Sequence, residues 1–324
     1  MNNKNQTNKI GYVWLSIIVV VTWGLVPLFA KLGDLPGGQT TMWVNMFGVF
    51  GVLAIMAYLK EFKSFKKDVP YTKFILIGLI WPLAYSIAYF NTIKIGGPSL
   101  ATIANYTWPA FAMLFSYQML KRKHSLRDWI VVLLAILGVT IPIVLEHKLK
   151  ILILPLTAVV FAAATQAYFN VKTKSFPKEW SWPLTLILQF VTAVGALVYA
   201  SIFETITIPS LITLGYLAFL GVISGSIGFW AFISAGMAAS GLGETDEIKF
   251  YVLMCLTPLA QVFALLIPFW HVESVSPLRW IGVGLVSSCF LIYKILTREK
   301  KFKAQASFNR KRLFSCFKLE KFND

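Results

Sequence analysis

The pentapeptide Asn105-Tyr106-Thr107-Trp108-Pro109 combines an amide, a phenol, an indole and a helix-breaking proline inside an apolar run from Leu100 to Leu120. Polar side chains are costly where a helix faces lipid, and irregular backbone inside a membrane is tolerated where it lines a cavity. Aromatic faces and amides suit a flat, partly apolar solute with polar ends. The stretch therefore predicts a helix that faces an internal cavity through which a solute is moved.

Further polar and aromatic residues lie deep within other apolar runs. Tyr85 and Tyr89 are four residues apart, so they share one face of a helix. Packing between helices is the alternative to a cavity role, and a buried Asn105 would also suit an interhelical hydrogen bond. Tyr12 and Trp182 lie near the ends of their runs and are assigned to the interfacial aromatic belt. The residues predicted to line the cavity are Trp23, Tyr85, Tyr89, Asn105, Trp108, Gln166, Tyr168, Asn170, Trp230 and Gln261.

A group of charges, Glu244, Asp246, Glu247 and Lys249, stands at the start of a late apolar run. Acidic residues stabilise a helix N-terminus, so helix capping is one interpretation. A gate or proton-coupling site is the other, because Lys249 follows Asp246 by one helical turn and no other run carries a carboxylate away from its ends. Both interpretations remain open from the sequence.

Enzymatic chemistry is not expected from this sequence. All three histidines lie between the apolar runs, and no Ser-His, HExxH or paired-aspartate pattern falls within a run. The three cysteines show no pairing or metal-ligand spacing, so neither a metal nor a cofactor is predicted.

Composition indicates an all-α integral membrane protein. The 324 residues are 57% hydrophobic and 14% charged, whereas soluble chains carry about 25% charged residues. The apolar residues form ten runs of about 20 residues, the length of helix that crosses a hydrocarbon core of about 30 Å. The runs cover residues 10–31, 41–59, 73–94, 98–120, 129–146, 151–172, 182–204, 211–234, 248–270 and 278–296.

The net charge of +16 is explained by the orientation of the chain in the membrane. Most lysines and arginines lie in alternate connections between the runs and in the basic tail, residues 297–324. By the positive-inside rule, both termini are predicted to be cytoplasmic in a multi-pass protein of the plasma (inner) membrane. The partners expected are the lipid bilayer and a small-molecule substrate, with no nucleic acid. The tail suits an interfacial amphipathic helix or a disordered segment.

Five runs followed by five runs predict an internal repeat. The proposed halves are residues 10–146 and 151–296, and each has a proline inside its fourth run, Pro109 in the first half and Pro258 in the second. Because each half has an odd number of spans, the second half would enter the membrane with opposite polarity. The predicted fold is thus ten transmembrane helices in an inverted five-plus-five repeat, with a site between the halves near the interrupted helices.

The chain resembles the drug/metabolite transporter superfamily in its ten-span form with two EamA domains. The resemblance rests on Trp23-Gly24 with Pro27 and Lys31, on Ala101–Ser116, and on Gly138 and Thr257-Pro258. The Asn-Tyr-x-Trp-Pro form is most similar to the branch of aromatic amino-acid exporters. This resemblance implies a central cavity lined by spans 1, 3, 4, 6, 8 and 9, and alternating access. The charged Glu244–Lys249 segment departs from the family pattern.

These observations predict a secondary-active or facilitative exporter of small metabolites, with amino acids as the preferred cargo. A monomer is compatible with this architecture. Nucleotide-linked metabolites would call for several cationic side chains in the cavity, and organic cations for a buried carboxylate beside the aromatic residues. Both cargo classes remain alternatives, as does a membrane scaffold that transports nothing.

Overall fold

The computed structural model describes residues 3–65, 68–120, 126–145, 149–266, 273–288 and 292, and within these residues every regular element is helical. The basic tail therefore lies outside the described residues. The helices are α1 (Asn3–Gly24), α2 (Val26–Gly33), α3 (Gly37–Leu59), α4 (Tyr71–Gly78), α5 (Tyr85–Gly96), α6 (Pro98–Asn105), α7 (Trp108–Leu120), α8 (Leu126–Leu145), α9 (Leu149–Thr173), α10 (Ser181–Phe203), α11 (Leu211–Phe219), α12 (Phe229–Leu242), α13 (Glu244–Met254), α14 (Thr257–Leu265) and α15 (277–288).

Membrane-spanning helices are present, as the composition predicts. Within the described residues, five helical stretches are long and apolar enough to cross a bilayer. The other five apolar runs are also helical. In chain order they are occupied by α6 and α7 together, by α8, by α9, by α13 and α14 together, and by α15. Ten spans therefore stay a prediction. The five stretches are Ile10–Gly33, Gly37–Leu59, Tyr71–Gly96, Lys178–Phe203 and Leu211–Leu242.

Three of the apolar runs are broken into two helices, and a proline follows each break. Helix α6 ends at Asn105 and α7 begins at Trp108, while α13 ends at Met254 and α14 begins at Thr257. Pro109 and Pro258 are each the second residue of the new helix, where the missing proline N–H would have had no helical acceptor. Pro27 occupies the same position in α2. Each proline thus starts a helix rather than kinking a continuous one.

Two further segments wind more widely than an α-helix, as π-helical turns. They are Leu79–Ala84, between α4 and α5, and Leu220–Gly228, between α11 and α12. Within the first, Trp81 has extended backbone angles (φ −146°, ψ 128°) and its peptide bond to Pro82 is cis. Such irregular turns inside helices are frequent at functional sites. Under the proposed repeat they belong to the third and eighth runs, which are equivalent positions.

The helices pack against each other in a repeating pattern. Helix α1 packs on α12 and α14, and helix α9 packs on α5 and α7. Helix α3 packs on α10 and on the Leu220–Gly228 turn, while α10 packs on α4 and the Leu79–Ala84 turn. Both irregular turns therefore lie among the packed helices, in contact with α3 or α10.

Helices α8 and α15 approach closely at a pair of glycines. A Cβ atom added to Gly282 would lie 2.4 Å from the carbonyl oxygen of Gly138, and one added to Gly138 would lie 2.8 Å from that of Gly282. Only glycine allows two helix backbones to come this near. The pair allows α8 and α15 to pack at close distance.

Candidate functional site

A cavity of about 90 Å3 lies where the helix breaks and π-helical turns meet. This volume is smaller than that of typical ligand pockets, about 300–1,000 Å3, but it has room for several water-sized groups. None of the described residues that line it is charged. The lining is Trp23, Val26, Val44, Asn45, Trp81, Pro82, Tyr85, Ser86, Tyr89, Phe90, Asn105, Tyr106, Gln189, Leu220, Ser224, Gly225, Phe229 and Gln261.

Aromatic rings form one wall of this cavity. The Trp81 ring stacks on Phe169 with centroids 4.0 Å apart and on Phe229 at 5.2 Å. Tyr85 and Tyr89 are stacked at 5.8 Å with an interplanar angle of 8°. The extended backbone at Trp81 and the wide turn around it direct this indole into the bundle, where it is almost fully buried. The wall offers flat apolar faces to a guest.

Hydrogen bonds between side chains and backbone form a chain along the other wall. Gln261 Nε2 donates to the Trp23 carbonyl oxygen at 2.9 Å, and Trp23 Nε1 donates to the Ser224 carbonyl oxygen at 3.4 Å. Gln189 Nε2 donates to the Gly225 carbonyl oxygen at 2.6 Å. These bonds connect α1, the Leu220–Gly228 turn, α10 and α14, so both glutamine side chains are held in fixed orientations.

Several buried polar atoms at the cavity have no hydrogen-bond partner among the described residues. They include Tyr89 Oη, Asn105 Oδ1 and Tyr106 Oη. The Tyr85 hydroxyl lies beside the Asn105 side chain, and the Tyr89 hydroxyl lies beside Gln261. A buried polar group left unpaired costs about 1–3 kcal/mol, so these atoms favour a polar guest.

A second group of polar contacts closes the face of the bundle at which α1 begins, called here the N-terminal face. Tyr12 donates to Asp246 Oδ1 at 3.1 Å, and Lys249 Nζ donates to the same oxygen at 2.8 Å. The N-cap residue of α13 is Gly243, which has no side chain to cap the helix. Asp246 therefore links α13 to α1 and does more than stabilise its own helix end.

Lys174, just beyond α9, joins this closure from another side. Its ammonium forms an ion pair with Glu247 and a hydrogen bond with the Tyr251 hydroxyl. The side chains of Lys174 and Glu247 are 3% and 2% exposed. Lys174 Nζ also lies 4.2 Å from the centroid of the Tyr251 ring, within cation–π range. Of the predicted gate residues, Asp246, Glu247 and Lys249 are thus brought together, while the side chain of Glu244 lies outside the description.

Polar contacts also close the opposite face. Glu204, at the end of α10, accepts hydrogen bonds from the backbone N–H groups of Gly38 at 2.8 Å and Gln39 at 3.0 Å, in the first turn of α3. A carboxylate at a helix N-terminus is favourable because it meets unpaired N–H groups and the positive end of the helix dipole. Glu273 likewise accepts from Ser99 N at 2.8 Å, in the first turn of α6.

Five of the predicted cavity residues line the cavity: Trp23, Tyr85, Tyr89, Asn105 and Gln261. Two others pack outside that lining. The Trp108 ring meets the edges of Phe232 and Tyr251 at centroid distances of 5.6 and 5.9 Å. The Trp230 ring stacks on that of Trp182 at 4.6 Å, and Trp182 is buried rather than at the interfacial belt.

Of the three predicted cavity residues in α9, two lie on a buried side of the helix and one lies on an exposed side. Gln166 and Asn170 are one turn apart and buried, although neither lines the cavity. Tyr168 is 42% exposed and meets only the edge of Phe115 among its ring contacts in the described chain. The prediction for Tyr168 needs correcting, because a residue two positions from Gln166 lies on nearly the opposite side of the helix. The belt assignment of Tyr12 is also wrong, since Tyr12 is 3% exposed.

Several lining residues were missed from the sequence. Trp81 and Pro82 carry a visible signal, a proline inside an apolar run, yet only Pro109 and Pro258 were interpreted as interruptions. Asn45 and Gln189 are amides in the second and seventh runs, which are otherwise poor in polar residues. The amides themselves were the signal that these helices also reach the cavity.

Residues 9–143 match the model of the EamA-like transporter family, which is less than half of the chain. A solved structure described only as a crystal structure of a protein has a similar fold, with a TM-score of 0.67 and 17% sequence identity. The likeness covers 89% of this chain and 97% of that chain, and at this identity it concerns the fold alone. No curated protein matches the sequence.

Proposed function

We propose that this protein is a secondary-active or facilitative transporter of small solutes that works by alternating access, most simply as an exporter of amino acids or similar metabolites. The observation that carries the proposal is the uncharged, aromatic and amide-lined cavity at the centre of the helical bundle. The match of residues 9–143 to the EamA-like transporter family supports it. In this proposal both termini are cytoplasmic and the membrane is the plasma (inner) membrane.

An inverted repeat of ten spans is part of this proposal. Under a five-span repeat, α1 corresponds to α9, α12 to α5, and α14 to α7. The packing of α1 on α12 and α14 then has its counterpart in the packing of α9 on α5 and α7. The helix breaks before Pro109 and Pro258 and the two π-helical turns form equivalent pairs in the same scheme. These correspondences support two structurally related halves around one site.

Closures at both faces support alternating access. Asp246 and Glu247 hold the N-terminal face through Tyr12 and Lys174, and Glu204 holds the opposite face through the first turn of α3. Releasing one closure at a time would expose the cavity to one side of the membrane. In this proposal the Glu244–Lys249 segment acts as a gate and, in a proton-coupled cycle, as the proton carrier.

The cavity chemistry bears on the alternative cargoes. A nucleotide-linked metabolite would need cationic side chains for its phosphates, and none of the described lining residues is charged. An organic cation would find aromatic faces but no carboxylate in the same lining, so only rings and side-chain dipoles would bind it. Amino acids suit an uncharged cavity because they are zwitterions. A non-transporting scaffold would have no need for buried polar atoms around a cavity.

Counterflow in proteoliposomes tests the proposal. Purified protein is reconstituted and preloaded with amino acids, nucleotide sugars or organic cations, and uptake of the labelled solute is measured. We expect exchange of at least one amino acid and about a tenfold loss in Trp81→Ala, which removes an aromatic wall. Trp14→Ala, at a position 61% exposed on the outside of α1, is the control and should exchange normally. Absence of exchange for all three solute classes would contradict transport.

A further inference from the structure

The two cavity glutamines, Gln189 and Gln261, present fixed hydrogen-bond acceptors. Each side-chain Nε2 donates to a backbone carbonyl oxygen, that of Gly225 for Gln189 and that of Trp23 for Gln261. Rotating either amide by 180° would set two carbonyl oxygens against each other, so the hydrogen-bond network assigns the orientation. The Oε1 atoms are therefore the free ends of these side chains.

Both Oε1 atoms are buried and have no hydrogen-bond partner among the described residues. Each glutamine is only 2% exposed, so bulk water does not replace the missing partner at the surface. Asn105 Oδ1 is a third buried acceptor of this kind in the same lining. The same lining also holds three groups that can donate and that lack a partner within the described part of the chain, Trp81 Nε1, Tyr89 Oη and Tyr106 Oη. The buried amide oxygens are stabilised by a guest that brings several donors.

The two glutamines are held by one connected set of contacts. Trp23 accepts from Gln261 through its carbonyl oxygen and donates its indole N–H to Ser224, whose neighbour Gly225 accepts from Gln189. The set joins helices from both proposed halves of the protein. Acceptors that are already oriented lose little entropy when a ligand binds, which is the condition for a selective subsite.

A protonated amine fits this arrangement best among common solute groups. An ammonium carries three donors and no acceptor, whereas a hydroxyl carries one donor and a carboxylate only acceptors. The faces of Trp23 and Tyr85 in the same lining add cation–π attraction. Because the described lining has no carboxylate, the amine would be bound by dipoles and rings alone, which allows cargo to leave again.

We propose that Gln189 and Gln261 are specificity-determining residues whose side-chain carbonyl oxygens form an ammonium-binding subsite, with Asn105 as a third acceptor. This inference rests on the proposed transport function, because it names the cargo group that the same cavity selects. The cargo class is then primary amines, including the ammonium end of an amino acid. The carboxylate of an amino acid is tolerated but is not the recognised group.

The test compares two probes of similar shape and opposite charge. Phenethylamine has an ammonium and no carboxylate, and 3-phenylpropionate has a carboxylate and no ammonium. Binding to the purified full-length protein is measured by the change in tryptophan fluorescence on titration. We expect phenethylamine to bind at least about tenfold more tightly than 3-phenylpropionate. Equal binding of the two probes, or tighter binding of the acid, would overturn the proposal.

Substitutions then test whether Gln189 and Gln261 cause the preference for the amine. Gln189→Leu and Gln261→Leu should each weaken phenethylamine binding about tenfold, because each removes one amide oxygen from the subsite. Gln166→Leu is the matched control: Gln166 is a fully buried glutamine with two unpartnered amide atoms, but it does not line the cavity. Unchanged amine binding in both leucine variants would remove the glutamines from the subsite. If either leucine variant fails to fold, the preference of the unmodified protein for phenethylamine over 3-phenylpropionate still decides whether the subsite exists.

The inference and the proposed function can fail separately. If counterflow shows exchange of solutes but binding shows no preference for the amine, transport stands and the ammonium subsite falls. If phenethylamine binds selectively and counterflow shows no exchange of any solute class, the subsite stands and transport falls.

Discussion

Tyr12 donates its phenolic hydrogen to Asp246 Oδ1 across 3.1 Å, and the two residues are 234 positions apart in the chain. The bond ties α1 to the beginning of α13, and Lys249 holds the same carboxylate oxygen from the adjacent turn. A single carboxylate therefore couples the first helix of the bundle to α13, which ends just before the break at Cys255–Leu256. Both contacts depend on one oxygen of this carboxylate, and the contact with Lys249 also depends on its charge.

Asp246→Asn should alter the pH dependence of transport. The amide can still accept from Tyr12 but no longer attracts Lys249, so it imitates a protonated carboxylate. We expect the variant at neutral pH to exchange solute as the unmodified protein does in acid, with a flatter pH profile. Exchange rates in proteoliposomes from pH 5 to 8 give the measurement, and Tyr12→Phe separates the hydrogen bond from the charge. A profile identical to that of the unmodified protein would favour a facilitator with a structural Asp246.

Lys174 and Glu247 should prove interdependent in stability. Removing one member of a buried ion pair leaves an uncompensated charge and costs about 3–5 kcal/mol, whereas replacing both by apolar residues is often nearly neutral. Lys174→Met is therefore expected to lower the melting temperature in detergent markedly. The double variant Lys174→Met/Glu247→Leu should recover most of the loss. Glu247→Leu alone completes the comparison: a loss in the double variant equal to the sum of the two single losses would show that the pair contributes no coupling energy.

Trp108→Ala should act through stability rather than through cargo binding. The indole is fully buried between Phe232 and Tyr251, outside the cavity lining, and truncating a core tryptophan costs about 3–5 kcal/mol. We expect a lower melting temperature, normal exchange per folded molecule, and partial recovery in Trp108→Phe. A Trp108→Ala protein that melts normally but does not exchange solute would place this side chain in the path of the cargo.

Gly282→Ala should destabilise the bundle while Gly284→Ala should not. A Cβ atom at Gly282 would lie 2.4 Å from the Gly138 carbonyl oxygen, whereas one at Gly284 would have nothing within 4 Å. Overpacking of this kind costs about 1–3 kcal/mol. The melting temperatures of the two variants, measured side by side in detergent, test the closeness of α8 and α15. Equal values would mean that these helices separate easily.

Local sequence signals predicted the helix breaks better than the site. A proline cannot donate a helical hydrogen bond, so Pro109 and Pro258 indicated interruptions, whereas Pro142 lies inside the unbroken helix α8. The same signal at Pro82 was available and was missed. Tyr168 shows a different error: its polarity suggested the cavity, but the spacing from Gln166 already placed it on another face.

Other features depend on contacts between distant parts of the chain. Nothing near Tyr12 in the sequence indicates that its hydroxyl meets Asp246 rather than lipid headgroups. Lys174 looks like a loop lysine until the fold brings Glu247 and Tyr251 around it. The orientation of Gln189 likewise depends on the Gly225 carbonyl oxygen, which lies in the distant Leu220–Gly228 turn. Such contacts follow from tertiary packing, which periodicity does not encode.

The uncharged lining of the cavity has an electrical consequence. If the protein contributes no charge to the moving site, the voltage across the membrane acts on the net charge of the cargo and on any coupled proton. A zwitterion would cross without electrical work, while a protonated amine would carry one positive charge, worth about 2.3 kcal/mol per 100 mV. An inside-negative potential of that size would oppose uncoupled amine export by about fiftyfold in concentration. The same cavity would thus be electrically silent for one cargo and current-carrying for another.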